Sequence, residues 1–317
     1  MTPEHSYKLE RLSSFTVLHP GYSAALETIH RAIDLGDAIG DSCGSILLGD
    51  PGTGKSRFCD QLRSEYPAAH FDRLDGDEQQ IIPVFYCRVP NDSTVKSLMS
   101  GALRLLGAYR EYQSLEALEH CLLHNLRKCQ TRLLILDEWP HLYRTGTDRA
   151  IKDAADFAKT LMDFFQRPIL FVGEGQYEYA FNCHAALADR CPYRAALYPF
   201  SLASPESRNI FAKVLRAYGQ FLNGELGFEE VLPMTDEKMV LAFYAATGGN
   251  FRGLSNILKE AVYTALRRNA GDFCTQDLIS GCSTIQVSTR LTEKNSFELT
   301  IGELKKIIAK NPKGKSL

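Results

Sequence analysis

The sequence predicts an α/β fold, a parallel sheet with helices on both faces, followed by a small all-helical domain. Three observations predict it. After residue 40, apolar runs of strand length alternate with helix-spaced segments, the pattern of successive βα units. A glycine-rich stretch, Gly49-Asp50-Pro51-Gly52-Thr53-Gly54-Lys55-Ser56, stands between one such run and a helix. From Ser204 onward the strand signals stop and helical spacing takes over.

The elements follow in order. Helical spacing begins at 22–37, and Ser45-Ile46-Leu47-Leu48 is the first apolar strand. The glycine-rich stretch leads into a helix over 55–65. Further strands are expected at 82–88, 132–137, 168–173 and 194–199, each a short apolar run. Helices are expected at 94–107, 114–129, 150–166 and 175–183, with Asp92 or Ser93 as N-cap of the first of these. In the second part, Ser204–Leu222, Thr235–Thr247 and Phe251–Asn269 read as helices. They are separated by Gly224-Glu225-Leu226-Gly227 and Gly248-Gly249, since glycine breaks helical runs. A Ser/Thr/Lys-rich extension begins near Ser283 and carries one amphipathic helix over Leu299–Ala309. The expected divisions are 1–40, 41–200, 201–282 and 283–317. A chain of 317 residues suits about two domains.

The glycine-rich stretch carries a specific chemistry. Glycines let the backbone curl so that successive N–H groups face phosphate oxygens, and the helix N-terminus adds its positive end. Lys55 is placed to reach the β- and γ-phosphates, and the Ser56 hydroxyl to ligate magnesium. A second element complements it. Arg132-Leu133-Leu134-Ile135-Leu136-Asp137-Glu138 is a buried-type strand ending in two carboxylates. Asp137 is then the magnesium-holding acid and Glu138 the general base that polarises the attacking water. Together these two stretches predict an NTPase that uses Mg2+. Trp139, the only tryptophan, is expected to pack beneath this site.

Composition excludes several other classes. Hydrophobic content of 44% and charged content of 23% are ordinary for a soluble globular protein. Met1–Ser14 lacks the apolar core of a signal peptide, and no run approaches the ~20 apolar residues of a membrane span. A soluble, cytoplasmic protein is expected. Nine cysteines, at 43, 59, 87, 121, 129, 183, 191, 274 and 282, are odd in number and include no C-x-x-C pair, and most sit among apolar neighbours, as reduced core cysteines do. His120 and His124 lie four apart on an expected helix without a third ligand, so no transition-metal site is predicted. Net charge is −2, so nucleic-acid binding would need a local basic strip. The tail, with Lys305, Lys306, Lys310, Lys313 and Lys315, reads as a solvated terminus.

An α/β nucleotide domain followed by a helical lid resembles the AAA+ ATPases. Within them the chain is similar to the TniB/TnsC transposition ATPases, relatives of the Mu B type. The likeness runs from Val17-Leu18-His19-Pro20 to about Ile279. It takes in the loop, Leu136-Asp137-Glu138, Pro168-Ile169-Leu170-Phe171-Val172-Gly173 and the lid stretch Gly248-Gly249-Asn250-Phe251-Arg252. The resemblance implies that Gly49 to Ser56, with Arg57, hold ATP and that His19 lies near adenine in a lead-in packed by the nucleotide. It implies that Arg252 senses the γ-phosphate from the lid. It also implies an arginine finger acting on a neighbouring subunit, for which Arg190 and Arg194 are the candidates. One departure is that the fourth strand ends in Gly173-Glu174-Gly175, where the family carries a polar residue such as Asn or Thr. A carboxylate there repels phosphate charge, which implies slow turnover.

The resemblance also implies partners. Such proteins form ATP-dependent rings or filaments on double-stranded DNA without sequence preference, then link a transposase to a target-selection protein of the TniQ/TnsD type. The corresponding basic candidates are Lys96 and Arg104 within Arg88–Arg104, and Arg144, Arg149 and Lys152 after the acid pair. Contacts to the phosphate backbone give affinity without sequence information. Two other readings stay open: an AAA+ ATPase of replication initiation or secretion, and a nucleotide-gated scaffold without significant hydrolysis.

Overall fold

Apolar strands buried on both faces need helices on both sides, and the chain supplies them in alternation. The computed structural model describes residues 2–74, 77–111, 114–143, 147–182, 184–269 and 271–311. Helices α1 (Pro3–Ser14) and α2 (Pro20–Ile39) precede strand β1 (Gly44–Gly49) and helix α3 (Lys55–Ser64). Next come β2 (His70–Leu74), β3 (Asp77–Ile81), β4 (Val84–Arg88), α4 (Val95–Leu105) and α5 (Leu115–Lys128). They are followed by β5 (Leu133–Asp137), α6 (Asp148–Phe165), β6 (Ile169–Gly173), α7 (Glu178–Asn182), α8 (Ala185–Arg190) and β7 (Tyr193–Leu197). The rest is mainly helical, with α9 (Pro205–Gly224), α10 (Glu237–Thr247), α11 (Phe251–Arg268), α12 (Thr275–Thr284) and α13 (Ile301–Lys310). It also holds a short parallel pair that the sequence did not announce, β8 (Glu230–Val231) and β9 (Asp272–Phe273).

The chain divides into two compact units. One comprises Ser23–Pro51 and Lys55–Leu197; the other takes the residues before Ser23, Gly52–Gly54, and those from Tyr198 onward. The first holds a five-stranded sheet in the order β4-β5-β6-β1-β7, parallel throughout. Strands β1, β5 and β6 are buried along their whole length, as expected of central strands. Trp139 is 1% exposed and packs against Phe157 and edge-on to Phe171. An antiparallel pair, β2 and β3, was not expected from the sequence. Seven of its ten residues are polar, and Phe71, Leu74 and Ile81 do not alternate in period two, so no strand pattern announces it.

Other details differ from expectation. The N-cap of α4 is Thr94, in a reciprocal capping box with Ser97, rather than Asp92 or Ser93. Asp92 instead turns the chain at φ 53. The expected helix at 175–183 is a short 3-10 turn, Gly175–Tyr177, followed by α7, and α8 was not foreseen.

In the other unit, α9, α10 and α11 supply most of the core, including Phe211, Leu215, Phe243, Leu254 and Ile257. Leu12, the one buried residue of α1, joins it. The extension joins it too: Phe297 is 1% and Leu304 0% exposed, with the Phe297 ring edge-on to Phe243 at 4.9 Å. Among the tail lysines, Lys305 pairs with Glu237 at 2.8 Å, and Lys313 and Lys315 lie outside the described residues. No helix among the described residues is long and apolar enough to cross a membrane.

Candidate nucleotide site

In a parallel sheet every strand delivers its C-terminal end to the same edge, and ligand sites form there. Strand β6 separates β1 from β5, with Leu48 of β1 level with Gly173 and Leu136 of β5 level with Phe171. The chain leaves β1 at Gly49, and α3 starts at Lys55. Between them Gly54 takes φ +107 and Gly52 φ +83, where a side chain costs about 1–2 kcal/mol. At Gly52 a Cβ would also stand 2.6 Å from Asn250 Oδ1. Lys55 is only 7% exposed, and its Nζ donates to the carbonyls of Gly49 (2.7 Å) and Asp50 (3.2 Å). Ser56 is exposed on the first turn of α3, and Arg57 half-buried.

The acid pair closes the other side of this edge. Asp137 is 3% exposed and fixed through both oxygens. Its Oδ1 accepts from the Glu138 N–H at 2.9 Å, and its Oδ2 from the Tyr86 hydroxyl at 2.6 Å. Burial first, and the bond to Asp137 second, push the Tyr86 phenol far above its ordinary range, so it stays a donor. Glu138 adopts φ 56, ψ 35, a left-handed conformation costing about 1–2 kcal/mol in a residue with a Cβ. Its carboxylate lies between Arg88 Nη2 (3.7 Å) and His141 Nε2 (3.8 Å), and His141 Nδ1 is 2.9 Å from the Val89 carbonyl. Tyr86, Arg88 and His141 were missed by sequence reasoning. The first two become legible only once β4 is known to flank β5, with Arg88 level with Asp137.

At the end of β6, Gly173 is required by close packing: a Cβ there would stand 2.6 Å from Pro140 Cγ. Glu174 accepts from Gln176 Nε2 at 2.7 Å. Both finger candidates are tied to their own chain. Arg190 pairs with Asp163 at 2.6 Å, and Arg194 bonds Asn182 Oδ1 at 2.6 Å with Glu178 3.6 Å away. In the helical unit, Asn250 caps α11 through the Gly253 N–H, and the Arg252 N–H donates to the Gly52 carbonyl at 2.9 Å. His19 packs edge-on to Phe200 at 5.0 Å, and burial lowers its pKa.

Of the basic candidates, Lys96 and Arg104 lie exposed on α4, with Arg104 over the Tyr109 ring at 4.5 Å. Arg149 is exposed, 3.8 Å from Asp153, and Lys152 is exposed nearby. Arg144 lies outside the described residues.

The residues present fit a magnesium nucleotide. Gly52 and Gly54 hold the backbone conformations of a phosphate cradle, Lys55 supplies a buried ammonium, and Asp137 supplies a pre-oriented carboxylate. Among the described residues no cluster of three or more His, Cys, Asp or Glu could hold a metal by itself. Magnesium typically takes only one or two carboxylates and completes its shell with phosphate and water.

The fold has solved counterparts. Cdc6p from Pyrobaculum aerophilum matches with TM-score 0.58 at 16% identity, covering 86% of this chain and 70% of that one. The Orc2 protein of Aeropyrum pernix, in ADPNP–ADP complexes, gives 0.60 at 13%, covering 87% and 72%. The Orc1 protein of the same organism, in complex with DNA, gives 0.57 at 14%, covering 97% and 86%. At such identities the likeness shows the fold alone. Fold, sheet order and the paired sequence motifs define the class: an AAA+ ATPase. The family model described as "Bacterial TniB protein" matches residues 13–196, more than half of the chain, and the chain belongs to that family. Comparison with curated proteins returns no match.

Proposed function

We propose that this chain is an ATP-dependent regulator of DNA transposition, which assembles as an oligomer on double-stranded DNA and is taken apart by hydrolysis. The observation that carries the reading is the shared sheet edge. The Lys55 loop leaves the end of β1, and the Asp137–Glu138 pair stands at the end of β5, in a chain of the TniB family. The loop Gly49–Ser56 with Arg57 holds the phosphates, and Ser56 and Asp137 hold magnesium. When bound, magnesium supplies charge neutralisation for phosphoryl transfer. Glu138 takes the proton of the attacking water at its carboxylate. Arg252 reads the γ-phosphate, His19 lies near the base, and Arg190 or Arg194 serves the adjacent copy. The divisions at 40, 200 and 282 mark a lead-in, nucleotide domain, lid and extension.

Lys96, Arg104, Arg144 and Arg149 supply backbone contacts to DNA, which give affinity falling steeply with salt. The structurally similar Orc1 and Orc2 proteins were solved with DNA and with ADPNP–ADP, which supports a nucleotide- and DNA-handling role. A transposase and a target-selection protein of the TniQ/TnsD type complete the assembly in the bacterial cytoplasm.

The test mixes purified protein with random-sequence duplex DNA and ATP, a slow analogue or ADP. Imaging is combined with phosphate release. Rings or filaments with ATP and analogue but not ADP are expected. Lys55→Ala should abolish them, and Glu138→Gln should make them persist without phosphate release. No DNA association in any nucleotide state overturns the reading. Assembly by wild type without phosphate release would leave a nucleotide-gated scaffold instead.

A further inference from the structure

Asp137 is held from a strand that carries no recognised nucleotide motif. Tyr86 lies on β4, the edge strand next to β5, and its hydroxyl reaches Asp137 Oδ2 at 2.6 Å. That length is typical of an O–H donor on an ionised carboxylate, among the stronger hydrogen bonds in proteins. The other oxygen is engaged by the Glu138 N–H at 2.9 Å, so the two bonds together fix the plane of the carboxylate. The Tyr86 ring is itself held, with the Arg63 guanidinium of α3 5.2 Å from its centroid. One side chain therefore spans the helix that follows the phosphate loop, the edge strand and the acid at the end of β5.

We propose that Tyr86 is a positioning residue for the divalent cation: its hydroxyl holds Asp137 in the orientation that binds magnesium. The inference rests on the proposed role of Asp137 in a magnesium–nucleotide site. A carboxylate that is 3% exposed and already oriented loses little freedom when it takes a cation. Removing the hydroxyl leaves Oδ2 to find another donor and lets the group turn. Loss of such an outer partner typically lowers metal affinity about 10–100-fold. The low end suits Asp137, which keeps its bond to the Glu138 N–H.

The test uses the full chain carrying Tyr86→Phe and a fluorescent, slowly hydrolysed ATP analogue. Analogue binding is followed first in EDTA and then through a magnesium titration. The half-saturating magnesium concentration should rise about tenfold, with binding in EDTA unchanged and the variant still folded at the assay temperature. Tyr86→Leu removes the same hydroxyl and should show the same rise, so the result does not hang on one variant. A magnesium midpoint within twofold of wild type in both variants overturns the proposal. So does an equal loss of binding in EDTA, which marks a general structural role. Asp137→Asn separates this failure from that of the underlying site. If it leaves magnesium dependence unchanged, Asp137 is not the cation's ligand. If it shifts that dependence, adding Tyr86→Phe to it should shift nothing further.

Discussion

Glu138 sits where the chain is bent against its preference. Its φ of 56 is held by the hydrogen bond from its own N–H to Asp137 Oδ1, which links the conformations of the two acids. The Glu138 carboxylate rests near Arg88 and His141 at 3.7 and 3.8 Å. While it rests beside Arg88 the carboxylate is drawn toward that guanidinium and is less free to meet an attacking water. Arg88→Ala is therefore expected to raise basal phosphate release by up to about fivefold, the equivalent of the ~1 kcal/mol ceiling for an exposed pair. Nucleotide affinity should stay unchanged, and a fall in turnover would contradict the assignment.

His19 allows a second check. Burial lowers its pKa from 6.5, so below pH 6.5 the unfolded chain binds the proton more readily than the folded one. Its contribution is intact above pH 6.5 and is lost as pH falls from there to the lowered folded value. Melting temperatures of wild type and His19→Asn between pH 5 and 8 should show a shallower acid loss in the variant; equal slopes would refute this. The phosphate loop and acid pair were legible because each is a short local pattern. Tyr86 and Arg88 were not, because their role depends on which strand lies beside β5.

At the scale of elements, the central strands were readable because burial on both faces leaves an unbroken apolar run. The pair β2–β3 was invisible for the opposite reason, being mostly polar with its few apolar residues out of strand period. Helix α1 buries only Leu12, too little to mark a periodic face. The lysine-rich tail after Glu303 reads as a solvated terminus, yet Leu304 enters the core, as does Phe297 just before it. Leu304 is fully buried, so Leu304→Ala should destabilise the chain by about 2–4 kcal/mol in urea unfolding. A loss under ~1 kcal/mol would mean that α13 is dispensable to the core. Thr300 and Glu303 form a reciprocal capping box on that helix, so its start is specified locally.

For the whole molecule, the parallel order β4-β5-β6-β1-β7 gathers residues distant in sequence at one edge. Neither composition nor net charge foretold a DNA-handling role; the proposal comes from family membership and the site. The central claim is that Lys55 and Asp137 serve one magnesium nucleotide. Equilibrium binding of ATP to the full chain, with magnesium and with EDTA, tests it most directly. Wild type should bind more tightly with magnesium, and Asp137→Asn should erase that gain. Lys55→Ala should weaken binding at least about tenfold in both conditions, as expected when a buried charged partner is removed. Unaltered affinity in Lys55→Ala, or a full magnesium gain in Asp137→Asn, would contradict the account.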